Sequence, residues 1–253
     1  MKITFLGTGT SQGIPVIGCK HPVCLSDNPK DKRLRVSVLI EWNDFAYVID
    51  CGPDFRQQML NCGCEKINGI LFTHEHADHV AGIDDIRPLC YMNGDMQIYA
   101  HERVIESIKN RFAYIFVKEN KYPGSPTIIT NSIENKPFNL SGMDVIPINA
   151  DHYFVQVYGY RFNNFAYLTD IKTVDDQELE KLKNLKVLVL NALRIEPHIS
   201  HLNLDEALAF VEKVKPEKAY FTHISHLLGF HDEVEKTLPQ NVHLAYDGLQ
   251  LDI

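Results

Sequence analysis

Six consecutive positions, His74-Glu75-His76-Ala77-Asp78-His79, carry three histidines and an aspartate. Histidine is 12 of 253 residues, so four fixed places filled this way arise by chance in about two chains in a thousand. The run before them, Asn68-Gly69-Ile70-Leu71-Phe72-Thr73, is apolar and β-favouring and predicts a buried strand. The histidines therefore leave that strand on a loop. Imidazole and carboxylate are ligands that first-row divalent metals take, and one loop can offer several at once. The alternative is a polar loop of solvated histidines, and the spacing argues against it.

A length of 253 residues suits one α/β domain near its upper size or a small two-domain protein. A net charge of −8 argues against a broad nucleic-acid surface, which needs basic excess. Six cysteines occur: Cys19, Cys24, Cys51, Cys62, Cys64 and Cys90. Met1 to Leu6 is too short for the apolar core of a secretory signal, and no apolar run approaches the roughly 18 residues of a membrane span. The expectation is a cytoplasmic chain with reduced thiols and no membrane segment. Its cysteines then read as metal ligands or small buried residues.

In chain order, Lys2–Leu6 predicts a strand ended by the tight polar loop Gly7-Thr8-Gly9-Thr10-Ser11-Gln12-Gly13, which lacks the Lys-Ser/Thr ending of a phosphate-binding loop. Cys19-Lys20-His21-Pro22-Val23-Cys24 has the close spacing of a metal knuckle, or holds two buried thiols beside a surface histidine. Ser37–Trp42 and Phe45–Asp50 predict a hairpin, and Asp54–Leu60 a helix with an acidic N-cap. Asp50 ends a buried strand, where it either orients a metal-ligating histidine or caps the neighbouring loop. Cys62 and Cys64 have no nearby histidine and are read as non-ligands. Asp84–Tyr91 and Glu102–Asn110 predict helices around a strand at Gln97–Ala100. Residues 111–126, with Phe112, Tyr114, Phe116 and Tyr122, predict an arm over the site or a packed excursion, the first being preferred. Strands follow at Thr127–Thr130, Pro137–Leu140, Met143–Ile148, Gln156–Phe162, Phe165–Thr169, Val187–Asn191 and Lys218–Thr222, with helices at Asp175–Lys183 and Leu204–Lys213. His101, His231 and His243 read as polar and exposed.

Four strands thus end in histidine or aspartate, which places His74, His76, Asp78, His79, His152, Asp170 and His223 along one sheet edge, where α/β proteins build sites. That set is too large for one tetrahedral metal and suits two metals sharing a carboxylate. On these residues the chain resembles the metallo-β-lactamase superfamily along essentially its whole length. The resemblance implies a single domain over residues 1–253, of α/β (α+β) class, built as a four-layer αββα sandwich. It implies one metal on His74, His76 and His152, a second on Asp78, His79 and His223, and Asp170 between them. Glu75 and Ala77 then drop out of the ligand list. With an aspartate bridge, Asp78 in the loop and no ligating cysteine in the second half, the pattern resembles the phosphodiesterase branch rather than the true β-lactamases.

The opening Leu6-Gly7-Thr8-Gly9-Thr10-Ser11-Gln12-Gly13-Ile14-Pro15, the Cys19–Cys24 knuckle and Thr222-His223-Ile224-Ser225-His226 are similar to PhnP-type phosphodiesterases. That likeness implies a structural zinc on Cys19, His21, Cys24 and His226, with His21 standing where the family usually has cysteine. It implies His201 as the acid for the leaving group, His198 being the runner-up, with Asp78 as the loop's catalytic carboxylate. It further implies small cyclic phosphodiesters as substrates, attacked by a hydroxide bridging two Zn, Mn or Fe ions, and a homodimer. The rival enzyme readings are a tRNA 3′-end endonuclease and a thioester or lactone hydrolase. The nuclease branch needs a protruding basic arm, and here Arg103, Lys109, Arg111, Lys118 and Lys121 are offset by Glu102, Glu106 and Glu119. A degenerate binding or scaffold member would have lost ligands, and every ligand position is filled.

Overall fold

The computed structural model describes residues 1–117 and 119–253; Lys118, counted above among the basic groups of residues 101–126, lies outside the described residues. In chain order the strands are β1 (Lys2–Gly7), β2 (Ser37–Trp42), β3 (Phe45–Ile49), β4 (Gly69–Leu71), β5 (Met96–Ala100), β6 (Ile128–Ser132), β7 (Phe138–Leu140), β8 (Met143–His152), β9 (Val155–Phe162), β10 (Phe165–Leu168), β11 (Val187–Asn191), β12 (Lys218–Thr222), β13 (Val242–Leu244) and β14 (Gln250–Asp252). Among the described residues they form two seven-stranded sheets, ordered β14-β1-β2-β3-β4-β5-β6 and β13-β12-β11-β10-β9-β8-β7. The first half of the chain builds one sheet and the second half the other, except that β14 returns to pair antiparallel with β1.

The layering follows from side-chain alternation. Successive residues of a strand point to opposite faces, and both faces here are apolar. From β1, β2 and β3 the residues Ile3, Phe5, Val38, Ile40, Tyr47 and Ile49 enter a core shared with Tyr160, Phe162, Phe165, Tyr167, Val187 and Val189 of the other sheet. The intervening residues turn outward to meet helices: Leu39, Val48 and Ile70 on one side, Ala166, Leu168, Leu188 and Leu190 on the other. A strand buried on both faces reads as a continuous apolar run, and that pattern enforces the order helix, sheet, sheet, helix. The four-layer αββα sandwich is therefore the observed fold.

Local differences from the sequence reading have physical reasons. Asp54 stands at the N-cap of Phe55–Cys62 but makes no capping bond, because its carboxylate is taken by Arg35, from Nη1 at 3.0 Å and from the backbone N–H at 2.8 Å. The stretch expected as one helix over Asp84–Tyr91 splits into a 3-10 turn at Ile83–Ile86 and a helix at Arg87–Asn93, with Pro88 in its first turn. Likewise Asp175–Lys183 is one α-turn, Asp176–Leu179, continued by a 3-10 turn. His231, expected to be exposed, is 2% accessible. Its Nδ1 faces Nη2 of the equally buried Arg33 at 3.0 Å, and its N–H donates to Asp31 at 2.8 Å. His101 instead caps the helix Glu102–Arg111, and His243 pairs with Glu235.

Candidate metal centre

The site lies where four strands release the chain at one edge of the sandwich. After β4 comes the loop Phe72–His79, whose last residues form the short helix Ala77–Val80. This loop is clamped by the second sheet: Tyr160 Oη donates to Phe72 O at 2.6 Å, and Tyr158 N–H to Thr73 O at 3.0 Å. Gly52 packs so closely behind it that a Cβ there would sit 2.0 Å from Asp78 O. After β3, β10 and β12 the chain turns at Asp50, Asp170 and His223, with φ of 64°, 58° and 54°. This left-handed conformation is uncommon for non-glycine residues, though Asn, Asp and His adopt it most readily. The opening loop braces the last of these corners, with Ile224 N–H donating to Thr8 O and Thr10 N–H to Ile224 O.

The structure brings the expected ligands together. The ligand atoms of His74, His76 and His152 lie within 4.8 Å of one another, as do those of Asp78, His79, Asp170 and His223. Asp170 sits between the groups. Its Oδ2 is 3.2 Å from His79 Nε2 and 3.8 Å from His74 Nε2, and its Oδ1 is 3.1 Å from His223 Nε2. A third group joins His201 to His152 and Asp170, with His201 Nε2 3.4 Å from Asp170 Oδ2. His198 stands one step back, its Nδ1 3.2 Å from His201 Nδ1.

The chemistry of this donor set fits divalent metals. Neither ring nitrogen of buried His223 makes an aligned hydrogen bond, although Nε2 stands 3.1 Å from Asp170 Oδ1, an arrangement that costs free energy in a closed core. Burial disfavours charge on Asp170, yet His223 and His79 hold its carboxyl well below the usual range. Burial likewise opposes charge on His79, but Asp170, Asp78 and Asp50 raise it well above the ordinary histidine value. His74 goes the other way, driven down by burial and by the charge of His79. Acidic groups so concentrated call for positive charge at their centre, which divalent cations supply.

Asp50 answers the two roles left open for it by filling both. Its carboxylate accepts from Thr73 N–H at 2.8 Å and contacts His79 Nδ1 at 2.7 Å. Thr73 Oγ1, 2.9 Å from Asp50 Oδ2, lies 3.0 Å from His74 Nδ1. One buried carboxylate thus turns the Nε2 atoms of His74 and His79 inward, one for each histidine group. His152 is oriented separately, its Nδ1 2.8 Å from Ser200 O.

Arg103 and Arg111, read from the sequence only as basic groups, touch the ligand loop. Arg103 donates to the Glu75 carboxylate and to Gln156 O, and Arg111 Nη1 donates to Glu75 O at 2.6 Å. Glu75 joins none of the convergent groups and holds the His74–His76 turn to the helix Glu102–Arg111. Helical spacing places both guanidiniums near one face, yet nothing local in the chain points that face at Glu75. The arm expected over the site from residues 111–126 is not met by the described residues beyond Arg111 that can be followed to a cleft: Tyr122 and Gly124 line one of about 800 Å³ with Met59, Leu60, Leu89 and Met92. None of the ligands lines that cleft.

At the knuckle, His21 Nδ1 accepts from Val23 N–H, and the rings of His21 and His226 stand 5.1 Å apart. Cys24 is buried and Cys19 half-buried beside it, and burial pushes the Cys24 thiol up. His226 Nδ1 is buried without a partner. The residues are neighbours, but no three of their ligand atoms converge within 4.8 Å among the described residues. Cys62 and Cys64 also stand outside every such group.

An αββα sandwich that gathers a three-histidine group and a histidine–aspartate group at one edge is a metal-binding hydrolase fold. The sequence profile of the beta-lactamase superfamily domain matches residues 46–224, and the chain belongs to that family. The crystal structure of a diphosphatase from the PhnP family superposes with a TM-score of 0.93 at 40% identity, covering 100% of this chain and 97% of that one. Human tRNase Z, short form, superposes with a TM-score of 0.71 at 18% identity, a likeness of fold alone, covering 100% of this chain and 99% of that one. Among curated proteins, an octanoyltransferase of Porphyromonas gingivalis is 37% identical over 99% of this chain. The chain spans 51% of that protein's length. A ribonuclease Z of Methanocaldococcus jannaschii is 25% identical over 86% of this chain and 61% of its own length. No helix among the described residues is long and apolar enough to cross a membrane.

Proposed function

We propose that this chain hydrolyses small phosphoric esters at phosphorus, using two divalent metals held by His74, His76 and His152 and by Asp78, His79 and His223, with Asp170 shared. The observation that carries this reading is Asp170, whose two oxygens reach ligands of both groups. When bound, a metal pair supplies hydroxide near neutral pH and neutralises phosphoryl oxygens. The protein's own contribution is orientation. Thr169 Oγ1, 2.9 Å from Asp170 Oδ1, steadies the shared carboxylate, and Asp50 fixes two imidazoles. His201 is our candidate to protonate a leaving oxygen, a role supported by Ser200 Oγ 3.0 Å from its Nδ1 and by its Nε2 3.4 Å from Asp170 Oδ2.

Cyclic phosphodiesters are the preferred substrates. The 40% identity to a diphosphatase favours a second form, a disubstituted diphosphate. Each phosphorus of such a molecule carries two bridging oxygens, as in a diester, so the same residues serve both. The ribonuclease Z relatives support attack on a phosphodiester but not a tRNA substrate here, because the chain carries −8 net charge and residues 111–126 contribute no basic arm among those described. Zinc, manganese and iron all suit imidazole and carboxylate ligands. We further propose a structural zinc on Cys19, His21, Cys24 and His226, supported by their adjacency and the unpartnered His226 Nδ1; binding it would draw the four side chains together. A homodimer is carried over from the family resemblance.

The test is a hydrolysis screen of cyclic diesters, linear diesters, disubstituted diphosphates and precursor tRNA, with zinc and manganese added separately and metal per chain measured. Turnover of the small esters, lost in Asp170→Asn, is expected. A chain that binds at most one metal, or an Asp170→Asn variant with undiminished activity, would overturn the two-metal reading.

A further inference from the structure

The turn joining β8 to β9 departs from ordinary hairpin chemistry. β8 ends at His152 and β9 begins at Val155, so Tyr153 and Phe154 form a two-residue turn. Such turns favour glycine and asparagine because positive φ is required. Here Tyr153 holds φ 58°, a conformation costly for a bulky side chain. The aromatic rings gain little burial in return: Tyr153 is 50% and Phe154 85% exposed, with ring centroids 3.7 Å apart. Two exposed, mutually packed rings thus begin at the residue after a metal-centre histidine. A second segment reaches the same end of β8. His152 Nδ1 is bonded to Ser200 O, and the neighbouring Ile199 is 63% exposed. Tyr153, Phe154 and Ile199 therefore all lie within two residues of one anchored contact.

We propose that Tyr153 and Phe154 form the platform on which a flat base of the substrate stacks while its phosphate occupies the metal centre. This rests on the reading of that centre as a phosphoric-ester site, and it adds the specificity residues. Phe154 is two residues from His152, roughly 7 Å of extended chain at most, a span that a ribose bridges between phosphate and base. Rings offer a base a sequence-tolerant stacking face. A long polynucleotide is disfavoured by the net charge of −8, which leaves a mononucleotide unit or a small nucleotide derivative as the occupant.

Equilibrium binding of adenosine monophosphate and of ribose 5-phosphate to the full chain, by titration calorimetry, tests the platform without requiring turnover. The wild-type chain is expected to bind the nucleotide about 10-fold more tightly, equivalent to about 1.4 kcal/mol. Phe154→Leu keeps apolar surface but not the ring, and should bring the ratio to within about twofold without weakening ribose 5-phosphate; Phe154→Trp should retain it. Tyr153→Asn, which suits the turn, should lower the ratio in part. Equal binding of the two phosphates by wild type, binding of neither, or equal weakening of both in Phe154→Leu overturns the proposal. So does a Phe154→Leu variant that changes oligomeric state while keeping the base preference. A chain that prefers the nucleotide yet hydrolyses no phosphoric ester removes the catalytic reading alone, and one that hydrolyses esters with no base preference removes the platform alone.

Discussion

Asp50→Asn isolates the contribution of a single buried carboxylate to both metals. Asp50 is 0% accessible and takes three donor contacts, from Thr73 N–H, Thr73 Oγ1 and His79 Nδ1. Asparagine is nearly isosteric and keeps one oxygen for Thr73. Its amide nitrogen then faces either His79 Nδ1 or the Thr73 hydroxyl, both of which donate in the wild-type arrangement. His79 can relieve the clash by moving its proton to Nε2, which removes the lone pair it would give a metal. The Thr73 relay to His74 weakens by the same exchange. Loss of an orienting partner of this kind costs about 10- to 100-fold in metal affinity, or roughly 1.4–2.8 kcal/mol. Because His74 and His79 serve different groups, both metals should weaken, unlike in His152→Ala, where the His74/His76 side suffers first. Competition with a chromophoric chelator reads the two affinities, and a melting curve of the metal-free chain reads folding separately. Two unchanged affinities beside a lowered melting temperature would refute the relay and leave Asp50 a structural cap.

His201→Ala should slow a diester with a poor alkoxide leaving group far more than one releasing nitrophenolate, which needs little protonation; equal slowing in steady-state assays removes His201 from the acid role. Arg103→Ala frees Glu75 and Gln156 O at an exposed position, so melting should move little, while kcat/KM falls roughly 10-fold through a loosened His74–His76 turn; full recovery by Arg103→Lys would show that the two-pronged grip is unnecessary. Burial, with Arg33 and Lys30 nearby, lowers His231 to about 4. The folded value lies below the unfolded one, so its contribution to stability is whole above about pH 6.5 and is lost as pH falls toward 4. Asp247, raised by burial to about 6, acts in the opposite direction over much of that window, so the measured quantity is the difference in denaturant midpoint between wild type and His231→Asn across pH 4–7. A constant difference counts against the buried neutral imidazole. At the left-handed corner of β12, His223→Val should destabilise the metal-free chain by about 1–2 kcal/mol more than His223→Asn; equal chemical denaturation would show that the corner carries no conformational cost.

The gathering of histidines and aspartates at one sheet edge follows from patterns local in the chain, whereas the four-layer order and the division of ligands between two metals rest on the family resemblance. Double-sided apolar runs such as Val187–Asn191 require a strand covered on both faces, and a polar ligand just past such a run must lie at the sheet edge. What escaped the sequence depends on side-chain direction across long separations. Arg103 meets Glu75 and Gln156, and Arg33 meets His231 nearly two hundred positions away. A histidine in a polar stretch such as His231 reads as exposed until its buried guanidinium partner is known. The knuckle shows the converse limit: spacing in Cys19–Cys24 states which ligands are available but not how closely their atoms stand.

The corners at Asp50, Asp170 and His223 explain why such a site suits this fold. Each closes a strand, and each turns the chain by a left-handed residue. Elsewhere among the described residues the same conformation falls at Asn43, Asn120, Asn163 and Asn184, where asparagine is the expected choice, and also at Ser141, Tyr153 and Lys215. The residue types that tolerate left-handed backbone best are Asn, Asp and His, and two of those three are also the hard and borderline metal ligands. A strand-end corner therefore admits a ligand at little conformational expense. A sheet edge presenting several such corners can collect ligands while its apolar strands stay intact. The inner core of Phe5, Ile49, Tyr160 and Tyr167 holds the strand ends in register, so the centre inherits the rigidity of the sandwich, and on the platform proposed above substrate choice would fall to an exposed turn beside it, Tyr153 and Phe154.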